Sequence, residues 1–569
     1  MNLLDARMLF LDLQTTGSSV ATGNILELAW CIGAARDAAP EVGCTYLLKQ
    51  PDGNSIPRRI KALTGITEED LQTAIEPRAA CTELLNALSM ADYRSHAVIH
   101  FAQFERPFLL DLLSQLDATA QIICTHQIAA RLYPNLPSRG IRGLSGYFGL
   151  PLGELKRASC HVNATFDIWR NICKELKMRG IHSLCELEEW LAMCPVGKRT
   201  KFEYPMDRNK RLSLPEQPGV YRMLAKNGAV LYVGKATSLR DRVNSYFRGQ
   251  RNRDSRKLEM LTQAWDLKVT PCQTVLEACL LEVDEIKRNS PPYNIALKTS
   301  VHPLAFYSRD FATHCDLQTT EHPVGPFRSA FVLQPVLLLA LSINAAEFDP
   351  RIFFEQREPE LLAAGFDCFL KRHQLQRQDI SSVRALIAIG MQFYRAWRRM
   401  CEQSTVDAIV SELADDEEIL SGSEDELSPD ELSPDELSPD EIADRYERML
   451  IQAAGALLLA RRLSKLVNSS IEFQENGLQR KAEVQNGEIS FFEVEDNSLV
   501  KTDDNNYVIF GRCSKADYPW SNLNNDTFDR MRVLHTELRR LAAQGKHLRI
   551  RTKTETPLRH SRKDVSAFS

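Results

Sequence analysis

Two tyrosines and an arginine in the middle of the sequence are spaced in a way that could support attack of water on a phosphate. Tyr221 and Tyr232 lie two residues from Gly219 and Gly234 on two short apolar strands, which we expect to bring the phenols together at a sheet edge. A phenol there can accept or relay the proton of an attacking water. Arg242 follows Leu239 by three residues and precedes Tyr246 by four, so these side chains share one face of the predicted helix. The Arg242 cation would stabilise the charge that develops on the phosphate, and Tyr246 would complete the phosphate pocket.

A carboxylate suited to metal binding lies further along the chain, on another predicted helix. Glu282 falls in the apolar run Ala278–Val283, which has helical spacing. An unpaired charge buried in such a run would destabilise the fold, and coordination of a divalent cation would remove that penalty. The sequence therefore predicts a metal ion at Glu282.

The order and spacing of these residues resemble the GIY-YIG nuclease family over residues 215–298. The resemblance is more specific to the catalytic domain found in the C component of the bacterial excinuclease and in the Cho-type excinucleases. It is carried by Pro218-Gly219-Val220-Tyr221, Leu231-Tyr232-Val233-Gly234-Lys235-Ala236, Leu239-Arg240-Asp241-Arg242-Val243, Tyr246-Phe247, Glu277 to Glu282 and Lys287 to Asn294. The positions that match functional residues of the family are Tyr221, Tyr232, Lys235, Arg242, Tyr246, Glu282 and Asn294.

The resemblance implies a mechanism and a fold for this part of the chain. It assigns the general base to Tyr232, supported by Tyr221 and Lys235, and makes Glu282 the only protein ligand of one Mg²⁺ or Mn²⁺ ion. Magnesium suits such a site because it keeps several waters and shares the phosphate oxygens of a substrate. The implied fold is a small α/β domain with a three-stranded sheet flanked by helices.

Basic residues crowd the same helix and the loop after it. They are Arg240, Arg248, Arg251, Arg253, Arg256 and Lys257. A cluster of this kind follows the phosphates of a DNA backbone. The formal net charge of the whole chain is −5, but local charge decides groove binding. We therefore predict double-stranded DNA as the substrate.

The N-terminal part carries a second set of chemical groups. Leu11 to Gly17, Leu63 to Leu71 and His100 to Glu105 resemble, in order, segments of the proofreading-exonuclease family of the epsilon-subunit type. The resemblance implies a ribonuclease-H-like fold, a mixed sheet with helices. It also implies four carboxylates that hold two metal ions about 4 Å apart, and a histidine that activates water.

Most of the groups that this second chemistry needs are replaced. Asp12 is retained, whereas Gln14, Glu105, Lys156 and His161 stand at the positions of a carboxylate, an aspartate, the histidine and the last aspartate. A neutral amide cannot balance a divalent charge, and the Lys156 ammonium beside the site would repel metal ions. A rival register keeps His161 as the histidine and uses Asp167 as the carboxylate, with a longer spacing. We predict no exonuclease activity, and a role for the domain as a platform for DNA or a partner protein.

The composition is typical of a soluble protein without a membrane segment. Hydrophobic residues make up 44% and charged residues 25% of the chain, and the longest apolar run, Phe331 to Ile343, is too short to cross a bilayer. The N-terminus lacks the pattern of a secretory leader. The 14 cysteines are scattered, without the spacing of a zinc knuckle or a redox pair, so we expect reduced thiols. These features predict a cytoplasmic location.

We expect an α/β multidomain architecture. The predicted order is an exonuclease-like domain at 1–177, a basic connector that touches phosphate at 178–213, the GIY-YIG domain at 214–298, a helix-rich region at 299–412, an acidic linker with Asp-Glu-Leu-Ser-Pro repeats at 413–440, and a C-terminal region at 441–569. The charge and prolines of the repeats predict disorder. The part after residue 298 is expected to be mainly helical, with a helix at Met449 to Leu466 and a basic tail from Arg532 to Lys563 as a second DNA contact.

The preferred hypothesis is an endonuclease that incises damaged or distorted DNA in nucleotide excision repair. It would make one incision, as Cho-type enzymes do, after recruitment by a damage-loading subunit. Two alternatives remain open, an epsilon-like 3′–5′ exonuclease and a non-catalytic DNA-binding scaffold. The replacements at Gln14, Lys156 and His161 argue against the first, and the complete set of seven matching residues argues against the second.

Overall fold

The protein divides into two compact units. The computed structural model describes residues 2–41, 43–51, 55–93, 95–151, 153–197, 201–248, 254–297, 303–344, 359–380, 382–403, 438–475, 477–493, 509–510, 524–546 and 548–552. One unit comprises Met1–Pro271 with Pro291–Ile295, and the other comprises Cys272–Ser290 with Ala296–Ser569. The cysteine side chains that the structure describes are all free thiols.

The N-terminal unit begins with a mixed five-stranded sheet. Its strands are β1 (Arg7–Thr15), β2 (Ile25–Ala34), β3 (Cys44–Leu47), β4 (His96–Ile99) and β5 (Gln121–Cys124), in the order β3-β2-β1-β4-β5. β2 runs antiparallel to β1 and β3, while β4 runs parallel to β1 and β5. β1 is central and its residues from Met8 to Leu13 are buried, because both faces of the sheet are covered. The predicted mixed sheet with helices is confirmed.

Seven helices accompany this sheet. They are α1 (Arg58–Thr64), α2 (Pro77–Met90), α3 (Ala102–Ser114), α4 (Thr125–Leu132), α5 (Ile141–Phe148), α6 (Ala158–Met178) and α7 (Leu184–Met193). α6 packs on β1, with the rings of Phe166 and Phe10 5.2 Å apart. α7 begins with a capping box formed by Ser183 and Glu186, and its Leu184 and Leu187 belong to the same hydrophobic core. The packing of this domain therefore extends past the predicted boundary at residue 177.

The second domain of this unit has the expected three-stranded sheet. After α8 (Arg208–Leu212) come β6 (Gly219–Leu224), β7 (Val230–Ala236), α9 (Leu239–Ser245), α10 (Ser255–Gln263) and β8 (Asp266–Pro271). The strands are antiparallel in the order β7-β6-β8. Tyr232 lies on the edge strand β7, but Tyr221 lies on the central strand β6, so the prediction that both phenols start from a sheet edge is wrong for Tyr221.

The two domains of the N-terminal unit are closely fitted to each other. The backbone N–H of Ser138 donates to the Thr262 hydroxyl across 2.9 Å. The rings of Tyr147 and Trp265 are 5.6 Å apart. A Cβ atom on Gly146 would lie 2.2 Å from the Gln263 side chain, so only glycine fits at that position. These contacts fix the orientation of one domain against the other.

The C-terminal unit contains helices and two sheets. Its elements are α11 (Val275–Asn289), β9 (Ala305–Tyr307), β10 (His314–Cys315), β11 (Val324–Phe327), α12 (Gln334–Asn344), α13 (Pro359–Arg372), α14 (Val383–Gln403), α15 (Pro439–Leu466), β12 (Ser469–Glu475), β13 (Leu478–Gln485), β14 (Glu488–Glu493), β15 (Ile509–Phe510), α16 (Asn525–Ala543) and β16 (Leu548–Thr552). The sheets have the orders β10-β9-β11 and β14-β13-β12-β16-β15. Helices predominate as expected, but the five-stranded sheet was not predicted.

Two features of the C-terminal unit differ from the sequence-based expectations. α15 begins at Pro439 and is capped by Ser438 together with Glu441, so the last residues of the predicted acidic linker belong to this helix. The rest of the linker, through residue 437, lies outside the described residues.

Arg532, the predicted start of the basic tail, is only 6% exposed within α16. Since that arginine is buried and Arg540 is bound to Glu475, this part of the tail belongs to the core and is not a DNA contact.

No helix among the described residues has the length and apolar character that crossing a membrane requires.

Candidate active site

Three phenol groups meet beside the three-stranded sheet. The hydroxyl oxygens of Tyr221 and Tyr246 are 2.9 Å apart, and the Tyr246 hydroxyl donates to Tyr232 across 3.5 Å. Each hydroxyl carries one hydrogen, so Tyr221 must be the donor in its contact with Tyr246. The two hydroxyl groups thus donate in series toward the oxygen of Tyr232.

Glycines allow the phenols and the strands to come this close. A Cβ atom on Gly234 would lie 2.4 Å from the Tyr221 hydroxyl oxygen and 2.8 Å from the Tyr232 ring. A Cβ atom on Gly219 would lie 2.4 Å from the carbonyl oxygen of Thr270. Any larger residue at either position would displace the tyrosines or the neighbouring strand.

Arg242 supplies a positive charge next to the phenols. α9 is capped by the Ser238 hydroxyl, which accepts from the backbone N–H of Asp241, and the guanidinium of Arg242 lies 5.4 Å from the centre of the Tyr246 ring. Burial lowers the pKa of Arg242, but the phenol oxygens of Tyr221 and Tyr246 raise it by more. Arg242 is therefore a permanent cation at this site.

Tyr221 and Tyr232 differ in their surroundings. Tyr221 is fully buried, and burial raises its pKa well above the ordinary value, with further increases from Tyr232 and Tyr246. Tyr221 accordingly remains protonated and can only donate along the hydroxyl chain. Tyr232 is half-buried on the edge strand, and it is therefore the more accessible tyrosine of the pair.

Asn294 and Lys235 occupy different places around β7. The Asn294 side chain is 7% exposed; its oxygen accepts from the backbone N–H of Val233 across 3.0 Å, and its amide nitrogen donates to the Val233 carbonyl across 2.9 Å. Asn294 thus pairs with the edge strand directly beside Tyr232. Lys235 is half-buried, and the alternation of side chains along β7 places its Cβ on the face opposite to Tyr232.

Glu282 lies on α11 and is only half-buried. The prediction of a carboxylate enclosed in an apolar run is therefore wrong, because the buried face of α11 is formed by neighbouring positions such as Cys279, Leu280 and Val283. Among the described residues, no group of three or more His, Cys, Asp and Glu side chains could hold a metal ion. A partly exposed carboxylate nevertheless fits magnesium, since water and phosphate oxygens can complete the coordination shell.

The predicted DNA-binding residues have different environments. Arg248, Arg256 and Lys257 are exposed, and Arg256 also donates to the carbonyl of Pro292 across 3.0 Å. Arg240 forms an ion pair with Glu216. Arg251 and Arg253 lie outside the described residues.

The basic connector is partly used for packing. Lys210 forms an ion pair with Asp266, and Arg211 donates to Asn244 across 2.7 Å while its guanidinium covers the Phe247 ring at 4.4 Å. The described part of the connector therefore differs from the expected phosphate contact, because these two cations are bound to side chains of the adjacent domain.

The exonuclease-like site is organised around Asp12, which is 2% exposed. The Gln14 amide donates to one Asp12 oxygen across 3.2 Å, and Nδ1 of His161 lies 3.3 Å from the other. Nε2 of His161 lies 3.2 Å from the carbonyl oxygen of Leu155. Because both ring nitrogens face oxygen acceptors, the imidazole is best satisfied as a cation.

The charges of this second site match that arrangement. Burial lowers the pKa of His161, but the hydrogen bond and the charge of Asp12 raise it by more, so that it exceeds its ordinary 6.5. Burial raises the pKa of Glu105 well above its ordinary value, and Asp12 raises it further. Asp12 is thus neighboured by an imidazole and a carboxyl group whose raised pKa values both favour their protonated forms.

Lys156 and Asp167 do not take the places that sequence comparison allowed. The Lys156 ammonium lies 3.1 Å from Glu154, with both side chains exposed, so the cation next to Asp12 is His161 and the predicted role of Lys156 is wrong. Asp167 lies 3.1 Å from Arg170 on the next turn of α6. The contact between His161 and Asp12 favours the register in which His161 replaces the last carboxylate over the rival register.

A cleft between the two domains of the N-terminal unit was missed by the sequence analysis. It has a volume of about 760 Å³, and its lining includes Arg142, Asn227, Arg256, Glu259, Gln263 and Tyr293. These residues come from separate segments, so no local spacing could reveal it. The Tyr293 hydroxyl donates to Glu259 across 2.7 Å, and the Arg256 guanidinium lies 5.9 Å from the centre of the Tyr293 ring.

Comparison with known proteins agrees with the site geometry. The UvrC-like GIY-YIG domain model matches residues 217–295. A putative bifunctional exonuclease/endonuclease protein of Mycobacterium tuberculosis is 29% identical over 346 residues, which are 58% of this chain and 51% of that protein. The UvrABC system protein C of a Psychrobacter species is 37% identical over 158 residues, 26% of this chain and 25% of that protein.

A solved structure also aligns with this part of the chain. It is the GIY-YIG N-terminal endonuclease domain of UvrC from Thermotoga maritima bound to magnesium, 35% identical, covering 16% of this chain and 94% of that domain with a TM-score of 0.14. The chain spans about half the length of the M. tuberculosis relative and a quarter of the Psychrobacter relative. All seven predicted endonuclease residues fall within the matched segment. Residues 217–295 therefore belong to the UvrC-like GIY-YIG domains, here in one chain with an exonuclease-like N-terminal domain.

Proposed function

We propose that this chain is a divalent-metal-dependent endonuclease that nicks damaged or distorted double-stranded DNA in nucleotide excision repair. The observation that carries the proposal is the series of hydroxyl groups from Tyr221 through Tyr246 to Tyr232, with Arg242 beside it. Tyr232 in its phenolate form, which the hydrogen bond from Tyr246 stabilises, accepts the proton of the attacking water. The water oxygen bonds to phosphorus as the P–O bond to the leaving sugar oxygen breaks. Arg242 stabilises the charge that develops on the phosphate.

Glu282 is the residue that would hold the metal, which we propose to be a single Mg²⁺ or Mn²⁺ ion. A bound ion would act as a Lewis acid on the phosphate oxygens. The carboxylate of Glu282 is a hard oxygen donor with partial access to solvent, as a magnesium ligand requires. Asn294 contributes by fixing β7, and with it Tyr232, through its two bonds to Val233.

The biological setting of the reaction is inferred from the relatives. The Psychrobacter protein is named as part of a UvrABC system, and we infer that a damage-loading subunit delivers this chain to DNA in the cytoplasm. The exonuclease and scaffold alternatives are less favoured. The first is opposed by the His161 cation beside Asp12, and the second by the intact phenol cluster.

The deciding experiment is a nicking assay on a lesion-bearing duplex with Mg²⁺ or Mn²⁺, comparing the wild type with Glu282→Ala. We expect metal-dependent nicking by the wild type and none by the variant, with DNA binding retained by both. Equal nicking by the two proteins would overturn the metal role of Glu282. In the same Glu282→Ala protein, robust metal-dependent digestion from 3′ ends would show that the exonuclease-like domain is active.

We also propose that the exonuclease-like domain contributes a DNA-holding surface, located at the cleft beside the GIY-YIG domain. Arg142 is exposed and forms no ion pair with the residues that the structure describes. Together, Arg142, Arg256 and Glu259 give the cleft one excess positive charge, which one phosphodiester would balance. Leu231 of β7 and Tyr293 also line the cleft, so the cleft adjoins the edge strand of the GIY-YIG domain.

This surface can be tested by DNA binding without catalysis. In the Glu282→Ala protein, Arg142→Gln should weaken binding of a duplex oligonucleotide and reduce the salt dependence by about one phosphate contact. Arg78→Gln, an exposed arginine on α2, is the matched control. Equal affinity and equal salt dependence of the two variants would remove the cleft from the DNA-binding surface.

A further inference from the structure

The helix that carries Glu282 is packed into the C-terminal unit. Leu276, Cys279, Leu280 and Val283 of α11 share one hydrophobic core with residues of α15, α16 and the five-stranded sheet. All four side chains are buried. The sequence match to the GIY-YIG family ends soon after α11, yet the apolar face of α11 shares its core with Leu304, Phe306 and many residues from Leu463 to Ile550.

The start of this helix is capped by Thr274, whose hydroxyl accepts from the backbone N–H of Glu277, and it is also bound by Glu475 of the five-stranded sheet. One carboxylate oxygen of Glu475 accepts hydrogen bonds from the backbone N–H groups of Val275 and Leu276, across 3.0 and 3.3 Å. Its other oxygen lies 2.5 Å from the guanidinium of Arg540. Glu475 is 1% exposed, so this contact is protected from water. A buried carboxylate at a helix N-terminus stabilises the first turn through direct bonds and through the helix dipole.

Ion pairs hold the side of the helix at successive turns. Arg480 lies 2.6 Å from Glu277 and Arg530 lies 2.6 Å from Asp284. Lys287 is bound by the buried Asp529 across 2.7 Å. Each pair joins α11 to the five-stranded sheet or to α16. The rotation of α11 about its axis, and its position along that axis, are therefore both fixed by the C-terminal region.

We propose that the C-terminal region after residue 438 is an integral part of the endonuclease, because it positions Glu282 for metal binding. This proposal rests on the metal role of Glu282 proposed above. With a single protein ligand, the affinity for the ion depends on the placement of one carboxylate, and no second ligand can compensate for a rotated helix. Glu475, Arg480, Arg530 and Asp529 are accordingly positioning residues, although none of them contacts the reacting groups.

The test measures metal binding by the full chain, by titration with Mn²⁺ and detection of the free ion by electron paramagnetic resonance. Glu475→Ala removes the acceptor of the Val275 and Leu276 N–H groups, and we expect the dissociation constant for Mn²⁺ to rise about tenfold, as it does when groups that orient a metal ligand are removed. Glu475→Gln keeps an oxygen acceptor at the same place and should restore most of the affinity. Glu472→Ala is the matched control on the same strand and should leave the affinity unchanged.

Two further variants make the outcome decisive. If Glu475→Ala does not fold, Arg530→Gln provides the same test at a partly exposed ion pair. Wild-type Mn²⁺ affinity in a folded Glu475→Ala or Arg530→Gln protein, together with lost binding in Glu282→Ala, would overturn the positioning role alone. Wild-type affinity in Glu282→Ala would overturn the metal site itself, and the positioning role with it.

Discussion

The exonuclease-like site and the phenol cluster of the GIY-YIG domain lie in the same compact unit, but their central oxygen atoms have different surroundings. Asp12 is enclosed by the Gln14 amide, the His161 cation and the protonated Glu105. Tyr232 receives a hydrogen bond from one side and is half-exposed. In the first site, side chains of the chain itself contact the Asp12 carboxylate. In the second site, Tyr232 lies on the edge strand β7.

This difference lies in how each site satisfies its polar groups. In the well-packed exonuclease-like domain, the Gln14 and His161 side chains of the chain itself contact the Asp12 carboxylate. The glycines, phenols and cation of the GIY-YIG site retain the arrangement that a bound phosphate would need.

The largest effect that separates the sites is expected from Tyr232→Phe. The variant loses the proton acceptor but keeps the ring that packs 6.2 Å from Tyr246, so kcat for nicking should fall about 10²–10⁴-fold with DNA binding retained. Single-turnover nicking and fluorescence anisotropy measure the two quantities. Tyr394→Phe on α14 is the control, and nicking by Tyr232→Phe at the control's rate would show that another group takes the proton.

Metal binding in the exonuclease-like site should be recoverable by substitution. In the Glu282→Ala background, Gln14→Glu with His161→Asp returns two carboxylates beside Asp12. Mn²⁺ at 100 times its dissociation constant should then raise the free energy of unfolding by about 2.7 kcal/mol. Thermal unfolding with and without Mn²⁺ measures this. A similar increase in the Glu282→Ala parent would mean that the site already binds metal.

A smaller effect is expected from removing the pairing between Asn294 and β7. Asn294→Ala leaves the buried N–H and carbonyl of Val233 without side-chain partners, which should lower the free energy of unfolding by about 1–3 kcal/mol. Nicking should also fall, because Tyr232 follows the position of β7. Urea unfolding measures the first change, with the exposed Asn289→Ala as control, expected within about 0.5 kcal/mol of the wild type. Unchanged stability in Asn294→Ala would contradict the structural role.

The smallest effect concerns the pH dependence of the exonuclease-like site. The pKa of His161 is raised in the folded protein, so its stabilising contribution is complete below the ordinary 6.5 and is lost as the pH rises through the folded-state value. The wild type should therefore lose stability relative to His161→Gln above pH 6.5, by at most about 1.4 kcal/mol per pH unit. Unfolding experiments across this range measure the difference.

Neighbouring groups also affect the pH dependence of stability, and their contributions must be distinguished from that of His161. Asp12, the Leu155 carbonyl and Arg142 all act on the imidazole. Glu105 also has a raised pKa and titrates in the same direction, so the comparison is made in a Glu105→Gln background. Parallel pH profiles with and without His161 would contradict the ion pair with Asp12.

The local part of the endonuclease site was predictable from sequence because its residues are close along the chain. Strand alternation and helical spacing relate Tyr221, Tyr232, Arg242 and Tyr246 over 26 positions, and the structure brings the three phenols together. The same reasoning failed for Lys156, because its residue type suggested a charge at the site whereas the surface carboxylate of Glu154 binds it. The prediction that Glu282 is enclosed was also wrong, because the run of apolar residues around it did not show which face of α11 is buried.

By itself, the sequence determined the residue types and spacing of the two nuclease-type motifs, and the resemblance of those motifs to known families implied the three-stranded sheet and the replacement of metal-binding carboxylates. The tertiary structure decided which group neutralises Asp12, where Asn294 is bound, and that α11 packs with the five-stranded sheet rather than by itself. Those outcomes depend on contacts between residues far apart in the chain, such as Glu475 and Val275. Local periodicity carries no information about such partners, because only the closed fold brings them within hydrogen-bond distance.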